Sequence, residues 1–93
     1  MASVNIKRNH NLNKDELKSK IESLKDQIEK DYKVKSSWKD DNTMSISGTG
    51  IKKGSLNFDD SSINIDIKLG MLASALKGKI ESGINKKLDE LLK

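Results

Sequence analysis

The side chains best suited to catalysis are few in this chain of 93 residues, and they are poorly placed to act together. His10 is the only histidine and cysteine is absent, so a nucleophile–histidine pair or a histidine-rich metal site would depend on His10 alone. The acidic pairs Asp40-Asp41 and Asp59-Asp60 have the spacing of turns and lack the alternating pattern of a calcium loop. We therefore expect no enzyme activity, no metal ion and no cofactor, and a local structural role for His10.

A glycine-rich stretch at residues 48–54 has only a superficial likeness to a phosphate-binding loop. It lacks the Gly-Lys-Ser/Thr ending, and a strand rather than a helix is predicted to follow it. Without a helix N-terminus, no row of free backbone N–H groups would face an anion. The prediction for this stretch is a turn or a β-bulge.

The charge of the chain is modest and is concentrated at its two ends. The formal net charge is +4, and the isoelectric point is about 9.3. Lys7 and Arg8 contribute +2, residues 70–93 contribute five lysines against three acids, and the residues between sum to zero. With only three aromatic residues to stack on bases, Lys7, Arg8, Lys52 and Lys53 make a poor nucleic-acid site, and we expect no such partner.

The compartment and the domain organisation follow from what the chain lacks. It has no apolar leader at its start, and no apolar run approaches the roughly 20 residues that a membrane span requires. Absence of cysteine suits a reducing compartment. We expect a cytoplasmic protein without a transmembrane segment, folded as a single domain over residues 1–93.

A helix is predicted over residues 14–33. Asn13 is its cap, Glu16 stands in the capping-box position, and Leu12 and Leu17 occupy the positions of a hydrophobic staple. Lysines and acids alternate over the exposed side. The buried stripe at helical spacing consists of Leu17, Ile21, Leu24, Ile28 and Tyr32.

Strands of period two surround this helix. One short strand containing Val4 and Ile6 precedes it, and four follow it, separated by turns. Short or polar residues lie between the inward positions, so one face of an antiparallel sheet should remain exposed. The predicted fold is α+β with the order β-α-β-β-β-β-α, an antiparallel sheet with two helices on one face, similar to a reduced helix-grip fold. The edge at which the first strand joins is left open.

The apolar period changes at Gly70, where the last strand runs directly into a helix predicted over residues 71–92. Its buried stripe consists of Leu72, Leu76, Ile80, Ile84 and Leu88. The far side combines small or apolar residues with a rim of lysines, namely Met71, Ala75, Gly78, Lys77, Lys79 and Lys86. Either the broad stripe merely fills a curved sheet, or the far side contacts a partner, which would be another copy or a lipid-coated surface.

Four short features together resemble the small bacterial family of polyhydroxyalkanoic acid system proteins. They are Arg8-Asn9-His10-Asn11-Leu12, Trp38, Leu69-Gly70 and Leu76-Lys77, spread over nearly the whole chain. The resemblance implies an accessory, phasin-like role in polyhydroxyalkanoate storage, without enzyme activity and without a catalytic residue to carry over. The chain departs from the family pattern by using lysine, serine and asparagine in place of arginine and aromatic residues.

The function predicted from these features is that of a non-enzymatic accessory protein on polyhydroxyalkanoate granules or on another hydrophobic cytoplasmic surface. Two alternatives remain open: a module that binds a small apolar ligand, and an oligomerisation or regulatory adaptor. A cavity lined by Trp38, Met44, Phe58 and Leu76 would favour the ligand-binding module. A solid core with an exposed Met71 would favour binding to a surface or a partner.

Overall fold

A computed structural model describes residues 2–48 and 50–92 of the chain and has an α+β fold. Within these residues, five strands and two α-helices follow one another in the predicted order, and a 3₁₀ segment precedes the last helix. In chain order the elements are β1 (Ala2–Asn9), α1 (Lys14–Tyr32), β2 (Lys35–Trp38), β3 (Thr43–Gly48), β4 (Ile51–Phe58), β5 (Ser62–Leu69), the 3₁₀ segment (Met71–Leu76) and α2 (Lys77–Leu91).

The sheet is antiparallel throughout, with the strand order β1-β5-β4-β3-β2. Strands β2 to β5 form a meander of consecutive hairpins, and β1 joins beside β5 with Val4 opposite Ile67 and Ile6 opposite Ile65. The first strand therefore occupies one edge and β2 the other. Because α1 connects these two strands, it carries the chain across the whole width of the sheet.

One face of the sheet packs against both helices, and the other is exposed, as the alternation predicted. Both helices contribute to a single core, α1 through four residues and α2 through Ile84 and Leu88. The buried strand residues are Val4, Ile6, Met44, Ile46, Leu56, Phe58, Ile63, Ile65, Ile67 and Leu69. The opposite face exposes Asn5, Lys7, Ser47, Asn57, Asp66 and Lys68. Burial of these ten strand side chains holds both helices against one face of the sheet.

Helix α1 begins at the predicted cap. Asn13 Oδ1 accepts the backbone N–H of Glu16 at 2.8 Å, and Asn13 Nδ2 donates to Glu16 Oε1 at 2.6 Å. Leu12 packs against the core immediately before the cap, and Leu17 is buried one turn into the helix. The cap thus satisfies an N–H group that a helix start would leave without a partner.

Polar contacts join each helix to one edge of the sheet. Arg8 on β1 donates to Asn85 Oδ1 and to its carbonyl oxygen on α2 at 3.2 Å, and forms an ion pair with Asp89 at 2.5 Å. Glu29 on α1 accepts the N–H of Ser36 on β2 at 2.9 Å and its hydroxyl at 3.1 Å. The N–H of Ser36 is the main reason that the pKa of Glu29 lies below its ordinary value. Arg8 therefore holds the fold together rather than adding to a cationic surface.

The predicted helix of residues 71–92 is wrong in its first part, because the 3₁₀ segment replaces the α-helix before Lys77. Leu76, which was predicted to be buried, is 50% exposed. Each step of four residues overshoots a full helical turn by about 40°, so Leu76, the residue immediately before α2, lies about 80° around the axis from Ile84. Leu76 therefore lies off the side on which Ile84 and Leu88 are buried. The side chain of Leu72 lies outside the described part of the structure.

Candidate functional site

The residues predicted as a contact surface are all exposed. Met71 is 84% exposed, and residues 75–79 are exposed without interruption where the 3₁₀ segment passes into α2. An amphipathic helix normally buries one side within each turn, so a turn exposed all round extends away from the core. We call Met71 together with residues 75–79 the projecting turn. Lys86, two turns further along α2, is exposed as well.

A close backbone contact holds the 3₁₀ segment in place. Gly50, in the connection between β3 and β4, has the left-handed φ of 85°, and its carbonyl oxygen accepts the N–H of Gly70 at 2.8 Å. A Cβ atom at Gly50 would lie 2.9 Å from the Cβ atom of Ala73. Glycine is therefore required there twice, for the backbone conformation and for the approach of the 3₁₀ segment.

An apolar groove lies beside the projecting turn. It has a volume of about 230 Å³ and is open to solvent along one side. Its apolar walls include Tyr32, Val34, Ile51, Ala73, Leu76 and Ile80. Behind it is a void of about 20 Å³ with an apolar lining that shares four of these residues. The end of α1, the start of β4 and the start of α2 therefore meet without filling the space between them.

The electrostatics of this end are biased towards positive charge. Helix α2 begins without a side-chain cap or an acidic residue in its first turn, where Lys77 and Lys79 lie instead. Among the described residues, neither lysine has a recorded ion pair. Asp31, which lines the groove, is bound by Lys87 Nζ at 2.6 Å, and this contact raises the pKa of Lys87. Lys77 and Lys79 thus add to the positive end of the helix dipole, and the nearest acid along α2 is Glu81.

A second cleft, of about 250 Å³, lies at the opposite end of the sheet and contains His10. The backbone N–H of Leu12 donates to His10 Nδ1 at 3.1 Å, so Nε2 carries the proton and donates to the carbonyl oxygen of Asp59 at 2.8 Å. The Asp59 carboxylate accepts the N–H groups of Ser61 and Ser62, chiefly the former, which lower its pKa. Both ring nitrogens and the carboxylate are therefore engaged in fixing the β4–β5 turn against the chain before α1.

The cavity that would have favoured the ligand-binding module is absent from the described part of the molecule. Met44 is fully buried, and Phe58 makes an edge-to-face contact with Trp38 at 6.1 Å between ring centroids. Lys18 Nζ lies over the Trp38 ring, 5.2 Å from its centre. Leu76 lines the groove at the far end of the sheet instead. The core is solid around Trp38, and the Met71 side chain is exposed, which is the combination that favours a surface or partner role.

The glycine-rich stretch forms the irregular β3–β4 connection that the sequence predicted. Register shifts fall between Ile46 and Gly48 on one strand and between Ile51 and Lys53 on the other. The next element is strand β4, so no helix starts there; Thr49 lies outside the described residues. The described residues also contain no cluster of three or more potential metal ligands.

The basic residues that could favour nucleic acid do not share one site. Arg8 is engaged with α2, Lys7 lies on the open face of the sheet, and Lys52 and Lys53 are exposed on β4. Trp38 is half-buried against the core, so its ring is not presented for stacking. That nucleic acid is not a partner stays a prediction.

Comparison with known proteins gives one result. A family model described as "putative polyhydroxyalkanoic acid system protein" matches residues 4–92. The chain belongs to this family. No curated protein and no solved structure matches it. Neither helix described here is long and apolar enough to cross a membrane.

The motif that carried the resemblance to the polyhydroxyalkanoic acid system family has structural roles. Arg8 attaches α2 to β1, His10 joins two connections, and Leu12 packs on the core before the α1 cap. Leu69 is fully buried at the end of β5, and Gly70 binds the Gly50 carbonyl oxygen. These family-like residues build the scaffold, whereas Leu76-Lys77, another of the four features, lies on the projecting turn.

Sequence reasoning missed the groove. Tyr32 and Val34 were assigned to separate elements, and Ile51 to an irregular connection, so nothing in the pattern brought them together. One available signal was the run from residue 70 to residue 76, which carries no charge in a chain where 34% of residues are charged. The signal is not specific, because the longer uncharged run of residues 42–51 contains the buried residues of β3.

Proposed function

We propose that the protein is a non-enzymatic accessory protein of polyhydroxyalkanoate storage that attaches to the surface of the polymer granule through the projecting turn. Family membership supports the storage context. The observation that carries the attachment is the exposure of Met71 and Leu76 on a turn flanked by Lys77 and Lys79. Apolar side chains beside lysines are the composition of a segment that lies in an anionic interface.

The expected strength of this attachment is low for one molecule. Burial of Met71 would contribute about 2 kcal/mol, and burial of the exposed half of Leu76 about 1 kcal/mol. Two lysines near an anionic surface would add about 1 kcal/mol each. A total of roughly 5 kcal/mol corresponds to a dissociation constant between millimolar and micromolar, before the cost of ordering the turn. Firm attachment would then depend on many copies, or on a homo-oligomer, covering the granule together.

The absence of a catalytic role is part of the proposal. His10 is the only histidine of the chain, and both of its ring nitrogens are engaged in hydrogen bonds. A general base needs a free nitrogen within reach of a substrate proton. The arrangement supports the scaffold role of this end of the molecule.

Co-sedimentation with purified granules or with polyhydroxybutyrate particles tests the attachment. In the double variant Met71→Asp/Ala75→Asp we expect binding to fall by about tenfold or more, since both exposed positions would oppose an anionic apolar surface. The circular dichroism spectrum and melting temperature should stay close to those of the parent, because neither side chain is in the core.

The matched control is Ser19→Asp/Ser23→Asp, which makes the same change of charge at two exposed positions of α1. It should bind as the parent does, apart from a small effect of net charge that salt suppresses. Equal loss of binding in both variants would show that attachment depends on net charge alone. Full binding by the Met71→Asp/Ala75→Asp variant would show that the projecting turn is not the attachment surface.

A further inference from the structure

We infer that the apolar groove beside the projecting turn binds a single unbranched acyl chain whose end carries a carboxylate. The inference rests on the proposed function, because it names the chemistry that this side of the molecule would meet on a polyester surface. Its ligand site is nevertheless distinct from the attachment surface. Leu76 and Lys79 belong to both, whereas Tyr32, Val34, Ile51 and Ile80 belong to the groove alone.

The size of the groove selects a narrow ligand. At about 230 Å³ it is smaller than the roughly 300–1,000 Å³ of pockets that enclose a drug-sized molecule. An extended chain of methylene groups is narrow enough to lie in an open groove of this size. The apolar void of about 20 Å³ behind the groove borders Ile80, which gives this side chain some room to adjust around a chain.

The charges around the groove select the end group. Lys79 lines the groove, and Lys77 lies beside it in the same helical turn, where the dipole adds positive potential. The one acidic group of the lining, Asp31, is already bound by Lys87 at 2.6 Å. A carboxylate at the end of the chain would therefore meet Lys79 in the groove with Lys77 nearby, while the charge of Asp31 is balanced by its ion pair with Lys87.

A second copy of the chain fits this surface less well. Met71 and Leu76 are the large hydrophobic residues exposed among the described residues, and two side chains supply only part of the roughly 800 Å² per partner that a stable dimer buries. Lys77 and Lys79 of two copies would also repel one another if the same face met itself. Charge and area both favour a small anionic ligand.

Titration with decanoate, below the concentration at which it forms micelles, tests the inference by NMR of the ¹⁵N-labelled protein. Amide shifts should concentrate in residues 31–34, 51 and 73–80 and saturate. Decyltrimethylammonium, which has the same chain and the opposite charge, should bind roughly tenfold more weakly. Shifts centred on the His10 cleft, equal binding of both amphiphiles, or shifts that depend on protein concentration without ligand would each overturn the inference.

Two matched lysine variants sharpen the test. Lys79→Glu should weaken decanoate binding by about tenfold, whereas Lys14→Glu, also in the first turn of a helix but at the other end of the molecule, should leave it unchanged. Leu76→Asp should abolish binding and is tolerated by the fold because Leu76 is half-exposed. Unchanged binding in Lys79→Glu or Leu76→Asp would overturn the site.

The two proposals can fail separately. The decanoate titration is done in solution and needs no granule. Granule attachment is tested by variants at Met71 and Ala75, which do not line the groove. Granule binding without decanoate binding would reject the acyl-chain site and keep the attachment. Decanoate binding without granule binding would reject the attachment and leave a small-ligand module.

Discussion

The two ends of the sheet differ in whether their polar and apolar groups find partners within the fold. At the His10 end, backbone and side-chain polar groups bind one another: the histidine joins two connections, Asp59 holds its own turn, and Asn13 caps α1. At the groove end, α2 starts without a cap, lysines stand in its first turn, and Met71 and Leu76 are exposed. One end is closed by internal hydrogen bonds, and the other is left incomplete.

The difference shows why the larger cleft is the poorer functional candidate. The cleft around His10 holds the one histidine and two carboxylates, Asp59 and Asp60, which are the residue types usually sought in a site. Each of the polar groups discussed there already has a partner within the fold, so binding a ligand would break hydrogen bonds that hold the turns. The groove offers apolar walls and lysines without ion pairs, so a ligand there would replace water only.

His10→Ala should have the largest effect of the changes considered. It would leave the N–H of Leu12 and the carbonyl oxygen of Asp59 without their partner in a half-buried position, at about 1–3 kcal/mol for each group. We expect a loss of about 2–4 kcal/mol in urea unfolding, with Asn11→Ala, at an exposed neighbour, within about 0.5 kcal/mol of the parent.

The comparison of the two ends also requires that folded His10→Ala protein still co-sediments with granules. A folded His10→Ala protein that no longer binds granules would show that the His10 end takes part in function. The division of the molecule into a structural end and a functional end would then be wrong.

Gly50→Ala should have an intermediate effect and should act on the groove end. A left-handed alanine costs about 1–2 kcal/mol, and its Cβ atom would press on Ala73 of the 3₁₀ segment. Gly50→Asn is the matched variant, since asparagine tolerates this φ but carries the same Cβ atom. Adding Ala73→Gly to each separates the two causes in a double-mutant cycle. No coupling between positions 50 and 73 would mean that the contact does not hold the segment.

How far the sequence predicts this structure depends on whether a residue's neighbours lie nearby in the chain. The cap at Asn13 and the alternation from Ile63 to Leu69 are local patterns, and both are confirmed. The position of β1 beside β5 depends on where a long crossover ends, which local periodicity does not encode. The 3₁₀ segment could not be predicted, because α and 3₁₀ geometries accept the same residues and the segment packs beside Gly50, which is distant in the chain.

The candidate site also has a part that local sequence patterns predict and a part that they do not. Exposure of Met71, Ala75, Gly78 and the nearby lysines was predicted from the phase of one α-helix. Met71 and Ala75 lie in the 3₁₀ segment and residues 75–79 are exposed all round, so their exposure does not follow from that phase. The groove could not be predicted, because it arises where α1, β4 and α2 meet without filling the space between them. The granule and ligand experiments test whether these exposed residues bind a partner.

Gly78→Ala should have the smallest effect, and it should stabilise the protein. A Cβ atom at Gly78 would meet nothing within 4 Å, so alanine would only restrict the unfolded chain and favour the helix, by roughly 0.5–1 kcal/mol. The melting temperature should rise by roughly 2–8 °C.

Gly83→Ala is the control in the same helix. Its Cβ atom would overlap the hydroxyl of Tyr32, so the gain in stability should vanish or become a loss as that side chain is displaced. Opposite signs at these two glycines would show that the first turn of α2 is unpacked while the next is not. A destabilising Gly78→Ala would mean instead that the projecting turn packs against the protein, and the contrast between the two ends would fail.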